Sequence, residues 1–423
     1  MTLPELLAPA ATFACAQAAF DNGADAVYAG LATHNLRARG PNFSIDECND
    51  LLDYAHGRGK RVYIALNVMP DDVRLADIER SVKSLLAQRH PPDAFIVGDP
   101  GVMMICQTHA LKVPLHLSTQ TGTFNTASAA FWARLGIRRV ILPREMTLDA
   151  IRKIAASGAV ETEVFIHGAM CVSVSGRCLL GAYMAKRHPN FGDCPQPCRL
   201  RYRIAALRNT RDADGQDDGW LTVEEEPDNG AFILNSKDLC ALPIIDRIVS
   251  INVAAVKIEG RNRSIHYVAS VVKVYRAALD RIARDSNARD EAAYAYAPLP
   301  QWQEELDRLD HRPYTTGFYG GDYSLQDLRQ ESRQERGYRV VGVVRELFDG
   351  RGAVVDVKNP FLPLDTVSVL TAGQGDIARD VTVLRMTDIN GNEIGKALTN
   401  RLVVCTTSPQ VQTGDILRKK QQS

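Results

Sequence analysis

Residues 161–198 read ETEVFIHGAMCVSVSGRCLLGAYMAKRHPNFGDCPQPC. The stretch begins as a β-rich apolar run, 161–168, and then opens into a long segment with four cysteines instead of a helix. Similar runs recur on either side, at 24–30 (ADAVYAG), 61–67 (RVYIALN), 94–99 (AFIVGD), 115–120 (LHLSTQ), 138–145 (RRVILPRE), 231–238 (AFILNSKD) and 254–261 (AAVKIEGR). Near-continuous Val, Ile and Leu runs are the mark of parallel strands covered on both faces by helices. Helical segments lie between them: Ser44 caps 45–58, Thr147 caps 148–156, and Ser264 opens an apolar-periodic segment to about 283. Eight β-then-α units predict an α/β fold, a (β/α)8 TIM-like barrel, over residues 1–285. Strand counting alone leaves a doubly wound open sheet as the alternative.

The expected strands start at fairly regular intervals, except for the gap between 161 and 231. The barrel therefore carries an insertion after strand six, 169–230, and the cysteines sit in it. Loops that follow strands build the active-site face of such barrels. The polar strand ends Asn67, Asp99, Gln120, Arg144, Glu145, His167, Asn235, Lys237, Glu259 and Arg261 are expected at that mouth. Residues 286–336 are irregular and polar and read as a linker wrapping the barrel. From 337 to 423, short runs separated by Gly, Asn, Asp and Pro turns predict a small C-terminal all-β barrel.

Lys plus Arg and Asp plus Glu both number 50, which excludes coating of nucleic acid by bulk charge but not a local basic patch. No long apolar run and no basic-then-apolar N-terminus is present, so the chain is expected to be cytoplasmic and not in a membrane. A reducing compartment disfavours disulfides, so Cys171, Cys178, Cys194 and Cys198 are candidate metal ligands. Cys15, Cys48, Cys106, Cys240 and Cys405 are scattered and read as small buried residues. The clustered four are spaced C-x6-C-x15-C-x3-C. Four thiolates suit tetrahedral zinc or an iron–sulfur cluster, and the wide spacing favours the cluster without excluding zinc or no metal. His167, just ahead of the cysteine loop, is a candidate catalytic group. Lys257, Glu259 and Arg261 alternate along the last barrel strand and share one face, which is unfavourable in a barrel interior without a ligand or partner. Arg144 and Arg261 have the planar forks that grip carboxylate or phosphate. The hydrolase motifs H-E-x-x-H and G-x-S-x-G are absent from the sequence.

Several of these segments together resemble the peptidase U-32 (collagenase-like) family. They are Glu163 to Cys171 (EVFIHGAMC), Gly176-Arg177-Cys178, Gly192 to Arg199 (GDCPQPCR), Asn235 to Leu239 (NSKDL) and Lys257 to Arg261 (KIEGR), with Glu5 to Ala10 and Gly23 to Tyr28 near the N-terminus. Val341 to Val343 and Gly414 to Arg418 are similar to one branch, the prephenate-dependent tRNA uridine 5-hydroxylases. Gly181 stands where the family pattern has serine. The resemblance implies an iron–sulfur tRNA-modifying enzyme that hydroxylates the wobble uridine without molecular oxygen. It implies a 4Fe-4S cluster on Cys171, Cys178, Cys194 and Cys198, with Cys240 the one substitute ligand. It further implies prephenate, or a group derived from it, as co-substrate, and tRNA and iron–sulfur delivery proteins as partners. His167, Lys257, Glu259 and Arg261 become catalytic candidates, and Asn67, Gln120, Arg144 and Lys237 substrate-binding ones. The basic run 199–211 and Arg418-Lys419-Lys420 are expected to meet the RNA. The family name keeps open a metal-dependent peptidase, and a non-catalytic iron–sulfur RNA-binding protein is the third reading.

Overall fold

The computed structural model describes residues 2–32, 34–36, 40–175, 178–189, 192–200, 202–206, 221–225, 235–288, 296–321, 337–348, 352–373 and 375–420. Strands and helices alternate from the start: β1 (Glu5–Pro9), α1 (Phe13–Asp21), β2 (Ala26–Gly30), α2 (Ile45–His56), β3 (Arg61–Leu66), α3 (Asp72–Leu86) and β4 (Ala94–Val97). They continue through α4 (Pro100–His109), β5 (Leu115–Leu117), α5 (Thr126–Arg134), β6 (Ile137–Ile141), α6 (Leu148–Ala156) and β7 (Glu161–Ala169). The chain then leaves the cylinder for α7 (Leu180–Ala185), the antiparallel pair β8 (Tyr202–Ala206) and β9 (Leu221–Glu225), β10 (Asp238–Cys240) and α8 (Ile245–Ser250). It returns as β11 (Ala255–Ile258), which pairs in parallel with both β1 and β7 and so closes the barrel. The long α9 (Ile265–Ala288) follows.

Local chemistry sets the helix starts. Ser44 accepts from the Glu47 backbone N–H while the Glu47 carboxylate accepts from the Ser44 N–H, a reciprocal cap that satisfies two otherwise orphaned donors. Asp99 caps α4, whose first residue, Pro100, has no N–H to satisfy. Asp99 is thus a structural cap, whatever its place at a strand end.

The expectation of eight barrel strands holds, but one member differs. Glu5–Pro9 is a barrel strand that hydrophobic alternation did not mark, because it is a five-residue run bounded by Pro4 and ending in Pro9, and proline argues against strand. Of the expected strand at 231–238, residues 231–234 lie outside the described residues. Asp238–Cys240 runs antiparallel to β7, outside the cylinder. The cysteine insertion therefore follows the seventh barrel strand, not the sixth. The expected 286–336 linker also carries structure among its described residues: the end of α9, then α10 (Pro300–Asp307), then β12 (Tyr314–Thr315), which adds to the sheet beside β10.

Six antiparallel strands, β13 (Tyr338–Phe348), β14 (Gly352–Val357), β15 (Thr366–Leu370), β16 (Ala378–Thr387), β17 (Leu402–Ser408) and β18 (Ile416–Lys420), close a second barrel around a core that includes Val341, Val355, Phe361, Val383 and Leu417. It docks on α9 and α10 through polar groups. Arg418 is fully buried, pairs with Glu305 (Nη2 to Oε2 3.1 Å) and donates to His266 Nε2 at 2.8 Å. Lys273 donates to the Thr371 hydroxyl at 2.5 Å. Arg418 is consequently not the RNA contact expected from its basic run, and Lys419 is held by Asp365 at 2.7 Å. Among the described residues, no helix is long and apolar enough to cross a membrane.

Removing one partner of a buried pair leaves the other charge uncompensated, at about 3–5 kcal/mol. Arg418→Ala is expected to lower the stability of the full chain by that order in urea denaturation, and Arg418→Lys to recover only part of it, since lysine lacks the guanidinium's several donors.

Candidate active site

The interior of the barrel carries charge. Lys257 on β11 donates to Glu163 on β7 at 2.8 Å; Arg139 on β6 lies 3.4 Å from Glu163 and donates to Glu5 on β1 at 2.9 Å. Tyr63 on β3 donates to Glu5 as well, and Arg61 pairs with Glu5 at 2.5 Å from the outer end. Burial alone would raise the Glu163 carboxyl, yet Lys257 and Arg139 hold it below the ordinary carboxylate range. Burial pushes the Lys257 ammonium below its usual value, against the pull of Glu163. Its Nζ also lies 4.3 Å from the Tyr28 ring centre.

Above this ladder lies a cavity at the mouth. Its lining brings together Asn67, Gln120, Arg144, Lys257, Glu259, Arg261 and Cys171, drawn from four strand ends and the cysteine loop. The expected shared face of Lys257, Glu259 and Arg261 is therefore a cavity wall, and the ion-pair partner of Lys257 is Glu163 rather than Glu259. Arg261 donates to Asn35 at 2.6 Å. Arg144 lies over the Phe165 ring at 4.2 Å and donates to the carbonyl of Ala169, while its buried Nε has no hydrogen-bond partner among the described residues.

Two of the expected site residues lie elsewhere. His167 is 1% exposed and is absent from the cavity lining. The register between β7 and β11 shifts there, so that His167 pairs with Ile258 and turns outward beneath α9, among the rings of Tyr267, Tyr275 and Tyr314. Burial pushes its imidazole down to about 3. It is a neutral packing group. Lys237 is half-buried and does not line the cavity; the anchors of its segment are its neighbours. Asp238 and Asn235 accept from Arg312 at 2.6 and 2.9 Å, and Ser236 donates to the Met170 carbonyl at 2.7 Å.

The cysteine loop is fastened to the mouth at its root. Gly168, at φ +114°, passes so close to strand β11 that an added Cβ would sit 2.5 Å from the Glu259 carbonyl oxygen, and the Glu259 N–H donates to the His167 carbonyl at 2.9 Å. Glu145 accepts from the Ser175 N–H at 2.9 Å and from its hydroxyl at 3.1 Å. Cys171 is exposed and faces the cavity, and Cys178, Cys194 and Cys198 are half-buried. Burial raises the Cys198 thiol; Arg199 opposes this, and the nearby Cys171, Cys194 and Cys178 raise it further, so the other three cysteines all lie within the electrostatic neighbourhood of Cys198. Among the described residues no three Cys, His, Asp or Glu groups converge tightly enough for a single ion. The glycine at 181 has a packing cause: a Cβ there would lie 2.7 Å from Pro195, so serine does not fit where α7 meets the Cys194–Cys198 turn. Cys240 is not with the four; it is buried and accepts from the Tyr275 hydroxyl at 3.8 Å. Of the basic run 199–211, Arg199 packs beside Cys198; 201 and 207–211 lie outside the described residues.

Ser118 and Phe165 line this cavity and Arg312 anchors the 235–238 segment beside the cysteine loop, and none of the three stood out in the sequence. Ser118 ends the same apolar run as Gln120, and Phe165 alternates with Glu163, so period-two reading of those strands marks both. Arg312 carries no such local signal, because its partners are 74 and 77 residues away.

A barrel with charged groups on the floor of its mouth and a cysteine loop over it defines an enzyme-like architecture. The sequence profile described as peptidase family U32 matches residues 11–328, and that of the U32 C-terminal domain matches residues 336–418. The chain belongs to peptidase family U32. It is 34% identical over 420 residues to "tRNA hydroxylation protein P" of Escherichia coli (strain K12), covering 89% of this chain and 88% of that relative. It is 33% identical over 294 residues to "23S rRNA 5-hydroxycytidine C2501 synthase" of the same organism, covering 68% of this chain and 42% of that relative. It is also 30% identical over 329 residues to "Collagenase" of Porphyromonas gingivalis (strain ATCC BAA-308 / W83), covering 75% and 73%.

A buried neutral His167 makes acid destabilising. Its folded value of about 3 lies below the ordinary 6.5, so the unfolded chain takes up a proton first. The contribution is intact above pH 6.5 and is lost as pH falls toward 3, at up to about 1.4 kcal/mol per pH unit. Chemical denaturation between pH 7 and 4 is expected to show this slope, and His167→Phe to flatten it by about one proton's worth.

Proposed function

We propose that this chain hydroxylates tRNA, at C5 of the wobble uridine, with a 4Fe-4S cluster on Cys171, Cys178, Cys194 and Cys198 and with prephenate or a prephenate-derived group as co-substrate. The observation that carries the reading is that Cys171 lines the same cavity as Arg144, Lys257, Glu259 and Arg261. A cysteine-held redox group at that place would adjoin the substrate cavity directly. The relative named for tRNA hydroxylation aligns along both barrels, which supports carrying that activity over.

The donor set fits the group. Four soft thiols gathered around Cys198, yet not converged on a single-ion point, favour a cluster over tetrahedral zinc, whose four sulfurs must all lie about 2.3 Å from the metal. When bound, such a cluster supplies one-electron chemistry. The chain's own residues do the rest. Arg144 and Arg261 offer guanidinium forks to the two carboxylates of a prephenate-like anion, and Lys257 adds a third cation at the floor. Glu163 holds that lysine in place. Asn67 and Gln120 supply neutral amides for a base. Iron–sulfur delivery proteins would load the loop. The reaction so read does not draw on molecular oxygen.

The name of the collagenase relative favours a peptidase as the second reading. Among the described residues that line the cavity there is no histidine, so neither Ser118, Ser175 nor Cys171 has a histidine base beside it.

Deletion of the gene, followed by mass spectrometry of tRNA nucleosides, is expected to remove the 5-hydroxyuridine-derived modification, with recovery by the wild-type chain and none by Cys171→Ser or Arg144→Ala. Protein purified without oxygen is expected to contain iron and sulfide, and Cys171→Ser to lose much of both. Unchanged wobble uridine modification in the deletion strain would refute the hydroxylase reading, and gelatin digestion abolished by a chelator would establish the peptidase.

A further inference from the structure

One cavity group has a hydrogen-bonding polarity dictated by its surroundings. Gln120 is 2% exposed and lines the cavity, and its Nε2 has no hydrogen-bond partner among the described residues. A relay that starts at the backbone decides which end of the amide is left over. The Leu36 N–H can only donate, and it donates to Asn67 Oδ1 at 3.4 Å. That leaves Asn67 Nδ2 as the donor toward Ser118 Oγ, at 3.5 Å. With its oxygen accepting there, the Ser118 hydroxyl turns its proton to Gln120 Oε1 at 3.3 Å. The carbonyl end of Gln120 is thereby engaged, and the amino end remains as a buried donor, unfavourable until an acceptor arrives.

We infer that Gln120 Nε2 reads the oxygen at position 4 of the pyrimidine, so that the cavity takes uracil and discriminates against cytosine. The inference rests on the hydroxylase reading above. Uracil presents an acceptor at position 4, where cytosine presents an amino group, and two facing donors repel and leave both unsatisfied. Carbon 4 is bonded to carbon 5, so a contact at position 4 also aligns the carbon to be hydroxylated. Glutamine is right for this role because its remaining donor cannot reverse: reversal would set the amino group against the Ser118 hydroxyl proton, which the relay from Leu36 and Asn67 has already turned toward Gln120. A carboxylate of the small co-substrate has the same acceptor chemistry, and the test separates the two.

The full chain, purified without oxygen, is titrated with two synthetic anticodon stem-loops that differ only in U or C at the wobble position, and separately with prephenate. The wild type is expected to favour U by about tenfold. Gln120→Glu, which presents an acceptor, is expected to reverse the preference, and Gln120→Leu to bring the two affinities within about twofold. Circular dichroism checks that each variant is folded, and Gln120→Leu carries the test if the buried carboxylate of Gln120→Glu prevents folding. A U preference unchanged in the folded variants overturns the inference. So does an unchanged preference with weakened prephenate binding, which assigns the donor to the co-substrate. A wild type that hydroxylates the wobble uridine yet binds both loops equally overturns base reading while leaving the hydroxylase in place; a wild type that neither binds nor hydroxylates either loop removes both.

Discussion

Lys257, Glu163, Arg139 and Glu5 alternate in sign through the lumen of the eight-stranded barrel, where such folds usually stack branched apolar side chains. Each ion is buried, so each is tolerable only because its neighbour is present; truncating any one strands the next. The series ends at the floor of the mouth with Lys257, whose position is thus fixed from below by groups that never meet a substrate. The cavity inherits its electrostatics from this arrangement. Arg144 and Arg261 add positive charge at the walls and Glu259 offsets part of it, which leaves a chamber suited to an anion.

The cysteine loop depends on a different set of contacts. It leaves β7 at Gly168, where only a residue without Cβ clears the Glu259 carbonyl. Arg144 binds the carbonyl of Ala169, Ser236 that of Met170, and Glu145 holds Ser175. Cavity-wall residues and loop-root residues are consequently the same or adjacent, so that a change in the loop is felt at the wall. Gly181 against Pro195 performs the matching task at the loop's far side, bringing α7 to the Cys194–Cys198 turn.

Much of this was legible in the sequence, for identifiable reasons. Seven of the eight barrel strands are long apolar runs with turn residues around them, and their polar last residues mark the mouth because strand ends carry little apolar burial. Asn67, Gln120, Arg144, Glu259 and Arg261 could be picked out on that basis. Glu5–Pro9 could not, since two prolines masked it. His167 follows the same strand-end logic and yet faces α9, because a register shift between β7 and β11 flips one residue to the other face, and alternation assumes an unbroken pleat. Arg418 looked like part of a basic tail; only the docking of two barrels reveals Glu305 as its partner, a separation of 113 residues that no local pattern encodes.

Arg312 and β12 lie downstream of the whole eight-stranded cylinder, yet they secure Asp238, Asn235 and the start of the cysteine segment. During synthesis, the ribosome therefore makes every barrel strand, and all four sulfurs, before the clasp exists. Whatever delivers a metal group to those sulfurs meets a loop whose final tether is added late, after the wall it stands on has been made.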